Sequence, residues 1–194
     1  MDDHLEVQER LKYEKVWTYQ GYRKQADGDP FVDHAYQVMG CRPGESLIDW
    51  GMGKGTPAQQ FQNKGLKVTG VDIAHNCRDP EVTVPLVVGC LWDPNIAVEA
   101  ADYSFSTDVL EHLPPERLDE ALLNIANHTK RAAYLQVCTM LDRWGALIDP
   151  PTVLHLSVLT GNEWLTKVQQ LWVNIEAIEG PKKARWRFIC RGRR

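Results

Sequence analysis

Three glycines at alternate positions, Gly51, Gly53 and Gly55, follow the apolar run Leu47-Ile48 and the carboxylate of Asp49. Glycines in such a loop let the backbone turn sharply and approach a ligand with no Cβ in the way. Thr56 and Pro57 come next, a capping residue and a proline suited to the first turn of a helix. The following apolar run ends in Val71-Asp72-Ile73, where nucleotide-binding α/β folds place the acid that holds a ribose diol. Strand, glycine loop, capped helix and acid together indicate a nucleotide-type ligand. The dinucleotide pattern needs its third glycine at position 56, which is Thr, and a carboxylate at Asp49 would repel a pyrophosphate. An NAD(P)-dependent enzyme is therefore disfavoured. The loop suits a phosphate-free ligand with positive charge, and S-adenosylmethionine (SAM), with an ammonium and a sulfonium, is one.

A second group of reactive side chains lies further on. Thr107, Asp108, Glu111 and His112 stand in the stretch Tyr103–Glu116, and His155 follows Asp149-Pro150-Pro151. His155, His112 and Asp108 are the catalytic candidates, the histidines because an imidazole titrates near neutral pH and can take a proton from a nucleophile. Tyr13, Trp17, Tyr19, Tyr22 and Arg23 crowd the N-terminal segment. They fit either a packed helix or a lid over the site, with Arg23 as a clamp for an anionic group.

The elements that must position these residues follow from the pattern of apolar runs. Residues 3–26 read as one helix and 31–40 as a second. Strands are expected at Ser46–Trp50, Lys67–Asp72, Val84–Gly89, Tyr103–Thr107, Ala132–Cys138, Leu171–Ile178 and Ala184–Cys190. Between them Arg117–Thr129 places Leu118, Ala121, Leu122, Ile125 and Ala126 on one helical stripe. A last helix is expected near Gly161-Asn162, with Asn162 as its cap and Trp164 in the core. Short apolar strands alternating with helices predict an α/β, doubly wound, mostly parallel sheet. The last two strands are separated by too few residues for a crossover and should close it as an antiparallel hairpin. The division expected is an N-terminal helical segment, 1–40, and a ligand-binding domain, 41–194.

Asp49-x-Gly51-x-Gly53-x-Gly55 resembles the first motif of class I SAM-dependent methyltransferases, and Asp72 matches the acid of their second. The Leu110-Glu111-His112-Leu113 turn resembles the segment that follows their fourth strand, so the resemblance covers about residues 45–140. It implies a Rossmann-like sheet of seven strands, SAM as methyl donor and S-adenosylhomocysteine as product. It also implies that Gly51, Gly53 and Gly55 lie against the methionine moiety, with Asp49 near its ammonium, while Asp72 and Ile73 meet the ribose. Cys90 and Leu91 would flank the adenine, and Thr107 would face the transferred methyl. Many members carry an acid where this chain has Cys90. The acceptor implied is a small molecule, sugar or lipid-linked precursor with an oxygen or nitrogen nucleophile. A SAM-binding partner or regulatory protein without transferase activity is the reading from another class.

Composition narrows the rest. The 194 residues carry a net charge of -4, yet Lys182, Lys183, Arg185, Arg187, Arg191, Arg193 and Arg194 gather after the last acid, leaving an acidic body. Such a body suits duplex DNA poorly, since that affinity rests on basic groups neutralising phosphates. The basic end could still meet an anionic partner, but solvated charges on a final strand are the simpler expectation. Five scattered cysteines without a C-x-x-C pair predict neither disulfides nor a metal site, and no apolar run is long enough to span a bilayer. A cytoplasmic protein is expected.

Overall fold

The computed structural model describes residues 4–25, 28–180 and 184–194. Its centre is a seven-stranded sheet in the order β3-β2-β1-β4-β5-β7-β6. The strands are β1 (Ser46–Trp50), β2 (Lys67–Asp72), β3 (Leu86–Val88), β4 (Ala101–Thr107), β5 (Thr129–Cys138), β6 (Trp172–Glu179) and β7 (Arg185–Arg193). The first five are parallel, and β7 runs antiparallel between β5 and β6. The fold is thus the doubly wound α/β sheet with a terminal hairpin that the pattern predicts.

Every residue from Leu47 to Trp50 and from Ala132 to Val137 is buried, which is why these strands read as apolar runs interrupted only by Asp49 and Gln136. Trp50 is fully enclosed and its indole N–H donates to Ser104 Oγ at 3.0 Å, so its one polar group is satisfied. The helices are α1 (His4–Val16), α2 (Gln20–Gln25), α3 (Val32–Met39), α4 (Thr56–Asn63), α5 (Leu118–Asn127) and α6 (Gly161–Gln169). The whole stripe of α5, from Leu118 to Ala126, is buried against the sheet.

Three local expectations are corrected. The segment 3–26 is two helices within its described part, broken at Trp17–Tyr19. The Thr18 hydroxyl bonds the Lys15 carbonyl at 2.7 Å there, and Trp17 turns under the chain to pack on Gly53. Residues 3 and 26 lie outside the described residues. Thr56 does not cap α4, because Gly55 is the N-cap and the Thr56 hydroxyl instead donates to Asp29 at 3.1 Å. The cap of α6 is Thr160 in a reciprocal capping box with Glu163, not Asn162. Trp164 is fully buried, as expected.

Among the described residues no helix is long and apolar enough to cross a membrane. The Arg-rich end is mostly strand β7, where Arg191 bonds the Val38 carbonyl, while Lys182 and Lys183 lie outside the described residues.

Candidate functional site

The order of the sheet reverses between β1 and β4, and the ends of these strands open into a cavity of about 700 Å³. In open α/β sheets such a reversal leaves a crevice beyond the strand C-termini where ligands bind. One wall is the glycine loop. Gly51 and Gly53 sit at φ 74° and 55°, in the left-handed region. A Cβ on Gly51 would lie 2.4 Å from Val109, and one on Gly53 would lie 3.0 Å from the Trp17 ring. The loop is pinned from behind. Gly51 and Met52 donate to the Val71 carbonyl at 2.8 and 3.0 Å, and Gly53 donates to Asp72 Oδ2 at 2.9 Å. Asp72 Oδ1 accepts from Ala74 at 2.9 Å, so this carboxylate fixes the loop as well as lining the cavity. Gly55 does not line it: its missing Cβ faces Val82 and Met52, behind the loop.

Asp49 is the unusual group. It is 3% exposed, it lines the cavity, and its Oδ2 has no hydrogen-bond partner among the described residues. Burial pushes its carboxyl up to about 8, and the nearby Asp72 adds to the rise. A buried carboxylate without a partner is costly unless a cation or donor arrives to meet it. An ammonium group satisfies that demand and a pyrophosphate does not. The residues present therefore fit SAM, by charge at Asp49 and by the absence of side-chain atoms at Gly51 and Gly53.

At the adenine end expected from the sequence, Cys90, Leu91 and Trp92 are buried and line the cavity, as does Ile73. Two acids of α1 come to this end, which the sequence did not signal. Glu6 hydrogen-bonds the Cys90 thiol, and Glu9, 5% exposed and paired with Lys12, lines the cavity. Trp17 and Tyr22, in edge-to-face contact at 5.2 Å, close over the glycine loop. Arg23 is no clamp for a ligand. It bonds Asp79 and the carbonyls of Trp17, Asn76 and Cys77, tying the helical segment to the loop after β2.

The opposite end gathers the catalytic candidates. Thr107 and Asp108 close β4, with Asp108 at φ 54°. Arg185 Nε donates to Asp108 Oδ1 at 3.0 Å and Gln136 to its Oδ2 at 3.1 Å. Burial pushes the Asp108 carboxyl up, and Arg185 opposes the rise. His112 Nδ1 and the Tyr13 hydroxyl share a 2.9 Å bond, and burial drives this imidazole down to about 3, so it stays neutral. His155 Nδ1 lies 2.6 Å from the Met140 carbonyl. A carbonyl only accepts, so Nδ1 carries the proton and Nε2 of the neutral ring keeps its lone pair. The rings of His112 and His155 are 4.7 Å apart, edge to face.

Glu111 lies beneath them, fully buried. Its Oε1 accepts from the Cys138 amide at 2.9 Å, and its backbone carbonyl accepts from both Leu156 and Ser157 at 2.9 Å. Glu111 thus anchors the segment that carries His155. Neither this role nor Arg185 and Cys138 was legible in the sequence, because all three come from separate segments joined only by the sheet. Met140, Leu141 and Trp144 form an apolar rim at this end, with Leu141 76% exposed.

Comparison with known proteins agrees with the geometry. Residues 48–137 match a family model described as a methyltransferase domain, which bears out the resemblance carried by the glycine loop. The structure of magnesium protoporphyrin IX methyltransferase from Synechocystis PCC 6803, with bound SAH, has a TM-score of 0.71 at 15% identity, covering 96% of this chain and 99% of that one. A Burkholderia thailandensis 1,6-didemethyltoxoflavin-N1-methyltransferase, holding that compound and S-adenosylhomocysteine, has a TM-score of 0.58 at 18% identity over 97% of this chain and 84% of its own. A chain from the complex of the Haloferax volcanii Trm112 methyltransferase activator with a methyltransferase has a TM-score of 0.69 at 14% identity, covering 92% and 97%. No curated protein sequence matches. The fold is that of the class I SAM-dependent methyltransferases, and residues 48–137, which carry the glycine loop and Asp72, match the methyltransferase-domain model.

Proposed function

We propose that the chain binds SAM in this cavity and transfers its methyl group to an oxygen or nitrogen of a small-molecule acceptor. The observation that carries the reading is the unpartnered, buried Oδ2 of Asp49 beside Gly51 and Gly53, a site that asks for a cationic ligand lying close to the backbone. The sulfonium of SAM supplies an activated methyl group. Asp49 takes the ammonium, and Asp72, already oriented by Gly53 and Ala74, accepts from the ribose hydroxyls. Ile73, Cys90 and Leu91 enclose the adenine, with Glu9 at its edge. Residues 4–25 act as a lid through Trp17 and Tyr22.

The rest of the work is alignment. Holding reactants in line is worth effective molarities of about 10⁵ M or more. Thr107, Val109 and the apolar rim confine an acceptor with an apolar body. For a hydroxyl acceptor, His155 Nε2 takes the proton as the oxygen–carbon bond forms and the carbon–sulfur bond breaks. The electron pair of the broken bond stays on sulfur, leaving a neutral thioether. His112 is a positioning residue, kept neutral and oriented by Tyr13. Asp108, paired with Arg185, shapes the wall without serving as a base.

Calorimetry with S-adenosylhomocysteine tests the reading. Binding at unit stoichiometry, lost in Asp49→Asn together with Gly51→Ala, supports it. Absence of heat with both the donor and its product removes it. Binding that persists while no small-molecule fraction of a lysate accepts a labelled methyl group would favour a SAM-binding partner protein instead.

A further inference from the structure

At the acceptor end, Glu111, Cys138 and His155 bring one carboxylate oxygen, one sulfur and one imidazole nitrogen within 4.8 Å of one another. We propose that these three side chains bind a zinc-type divalent cation, which selects an acceptor with an ionisable oxygen or sulfur. The donor set is mixed, and zinc accepts carboxylate, thiolate and imidazole alike, often keeping a fourth position for water or substrate. Tetrahedral zinc with bonds of about 2.0–2.3 Å separates its donors by about 3.5 Å, so the three need to draw together by roughly 1 Å. Cys138, at the end of β5, and His155, in a loop, are only partly buried and can make that move.

Two further observations point to a ligand here. Glu111 is fully buried and its Oε2 has no partner among the described residues, although its Oε1 is held by the Cys138 amide. That oxygen lacks the positive group a buried carboxylate requires. The imidazole is also prepared. Donation from Nδ1 to the Met140 carbonyl leaves Nε2 free and fixes the ring, the arrangement by which metal-binding histidines are usually oriented. All three residues line the same cavity as Asp49, so the open position of the cation faces the space left for the acceptor. With the cation in place His155 would be a ligand rather than a base, and the metal would lower the pKa of the bound acceptor so that its proton leaves to solvent before methyl transfer.

The proposal rests on the methyltransferase reading only for the identity of the acceptor space, and its test is independent of SAM. The full chain, treated with a chelator and desalted, is titrated with cobalt(II) in the absence of any adenosyl ligand. Saturation at one equivalent is expected, with visible bands of a four-coordinate ion, a near-ultraviolet thiolate charge-transfer band, and displacement by zinc. Cys138→Ser should abolish the charge-transfer band, and His155→Ala should weaken binding on the order of tenfold or more. Glu111→Gln is a third variant, and the first two suffice if its buried amide disturbs folding. A cobalt-silent protein, or a spectrum unaltered by Cys138→Ser and His155→Ala, overturns the proposal. Calorimetry with S-adenosylhomocysteine on the same samples separates the failures. Product binding without a cobalt spectrum sinks only the metal site, and a cobalt spectrum without product binding sinks only the methyltransferase reading.

Discussion

The hydroxyl of Tyr13, in the first helix, lies 2.9 Å from Nδ1 of His112, in the turn after the fourth strand. This bond links the segment that covers the glycine loop to the cavity wall beyond β4, between residues far apart in the chain. Both residues are half-buried and line the cavity, so the bond sits at the cavity wall.

Tyr13→Phe should therefore destabilise the protein by about 0.5–1.5 kcal/mol, the net worth of one hydrogen bond. Urea unfolding measures it. The same variant should lose more methyl-transfer rate than product affinity, because the displaced ring is at the acceptor end.

Asp49 predicts how affinity depends on pH. In the ligand-free fold its carboxyl is raised from 3.8 to about 8, so over that interval the folded state holds a proton that the unfolded chain has released. Its contribution to stability thus falls as pH rises from about 4 to 8. Binding of an ammonium ionises the group and expels the proton. Affinity for S-adenosylhomocysteine should therefore rise with pH, by about tenfold per unit for one proton, and level off near pH 8. Calorimetry at several pH values checks the slope. Asp49→Asn should bind more weakly and show a flat profile.

The glycine loop makes a steric prediction. Gly51→Ala places a Cβ 2.4 Å from Val109 and forces alanine into a left-handed conformation that costs about 1–2 kcal/mol. Product binding should be lost. Adding Val109→Ala relieves the clash but not the backbone strain, so the double variant should recover binding only in part.

His155→Ala should leave S-adenosylhomocysteine affinity unchanged, since the ring lies at the far end of the cavity from Asp72 and Cys90. Transfer of labelled methyl should fall by about 10²–10⁴-fold, the range for loss of a proton acceptor. Equal losses of affinity and rate would show that the residue only supports the fold.

The parts of the molecule that local pattern dictates were legible in the sequence. Ser46–Trp50 and Lys67–Asp72 are strands at the predicted limits, because their side chains are mostly buried and their ends are marked by glycine or an acid. The stripe of α5 is equally direct. The break at Trp17–Tyr19 was hidden because no proline or glycine stands within it, although the chain there carries the Trp17 ring onto Gly53. Asp49 and Asp72 could be picked out as chemistry-bearing, whereas the pairing of Asp108 with Arg185 could not. Their contact depends on β7 lying beside β5, a register that no spacing in the chain encodes. Arg23 misled for a related reason. Its charge suggested a ligand, and tertiary carbonyls claimed it instead.

The insertion of β7 between β5 and β6 also bears on biosynthesis. Arg185 enters on the strand of this sheet that comes latest in chain order, so a nascent chain on the ribosome has its glycine loop and Asp72 long before Asp108 acquires its counter-ion. Until then β5 presents an unpaired, apolar edge, the feature most prone to pairing with other chains during synthesis. Translation pauses or truncations just ahead of this strand should consequently yield aggregates rather than a folded but weakened binder.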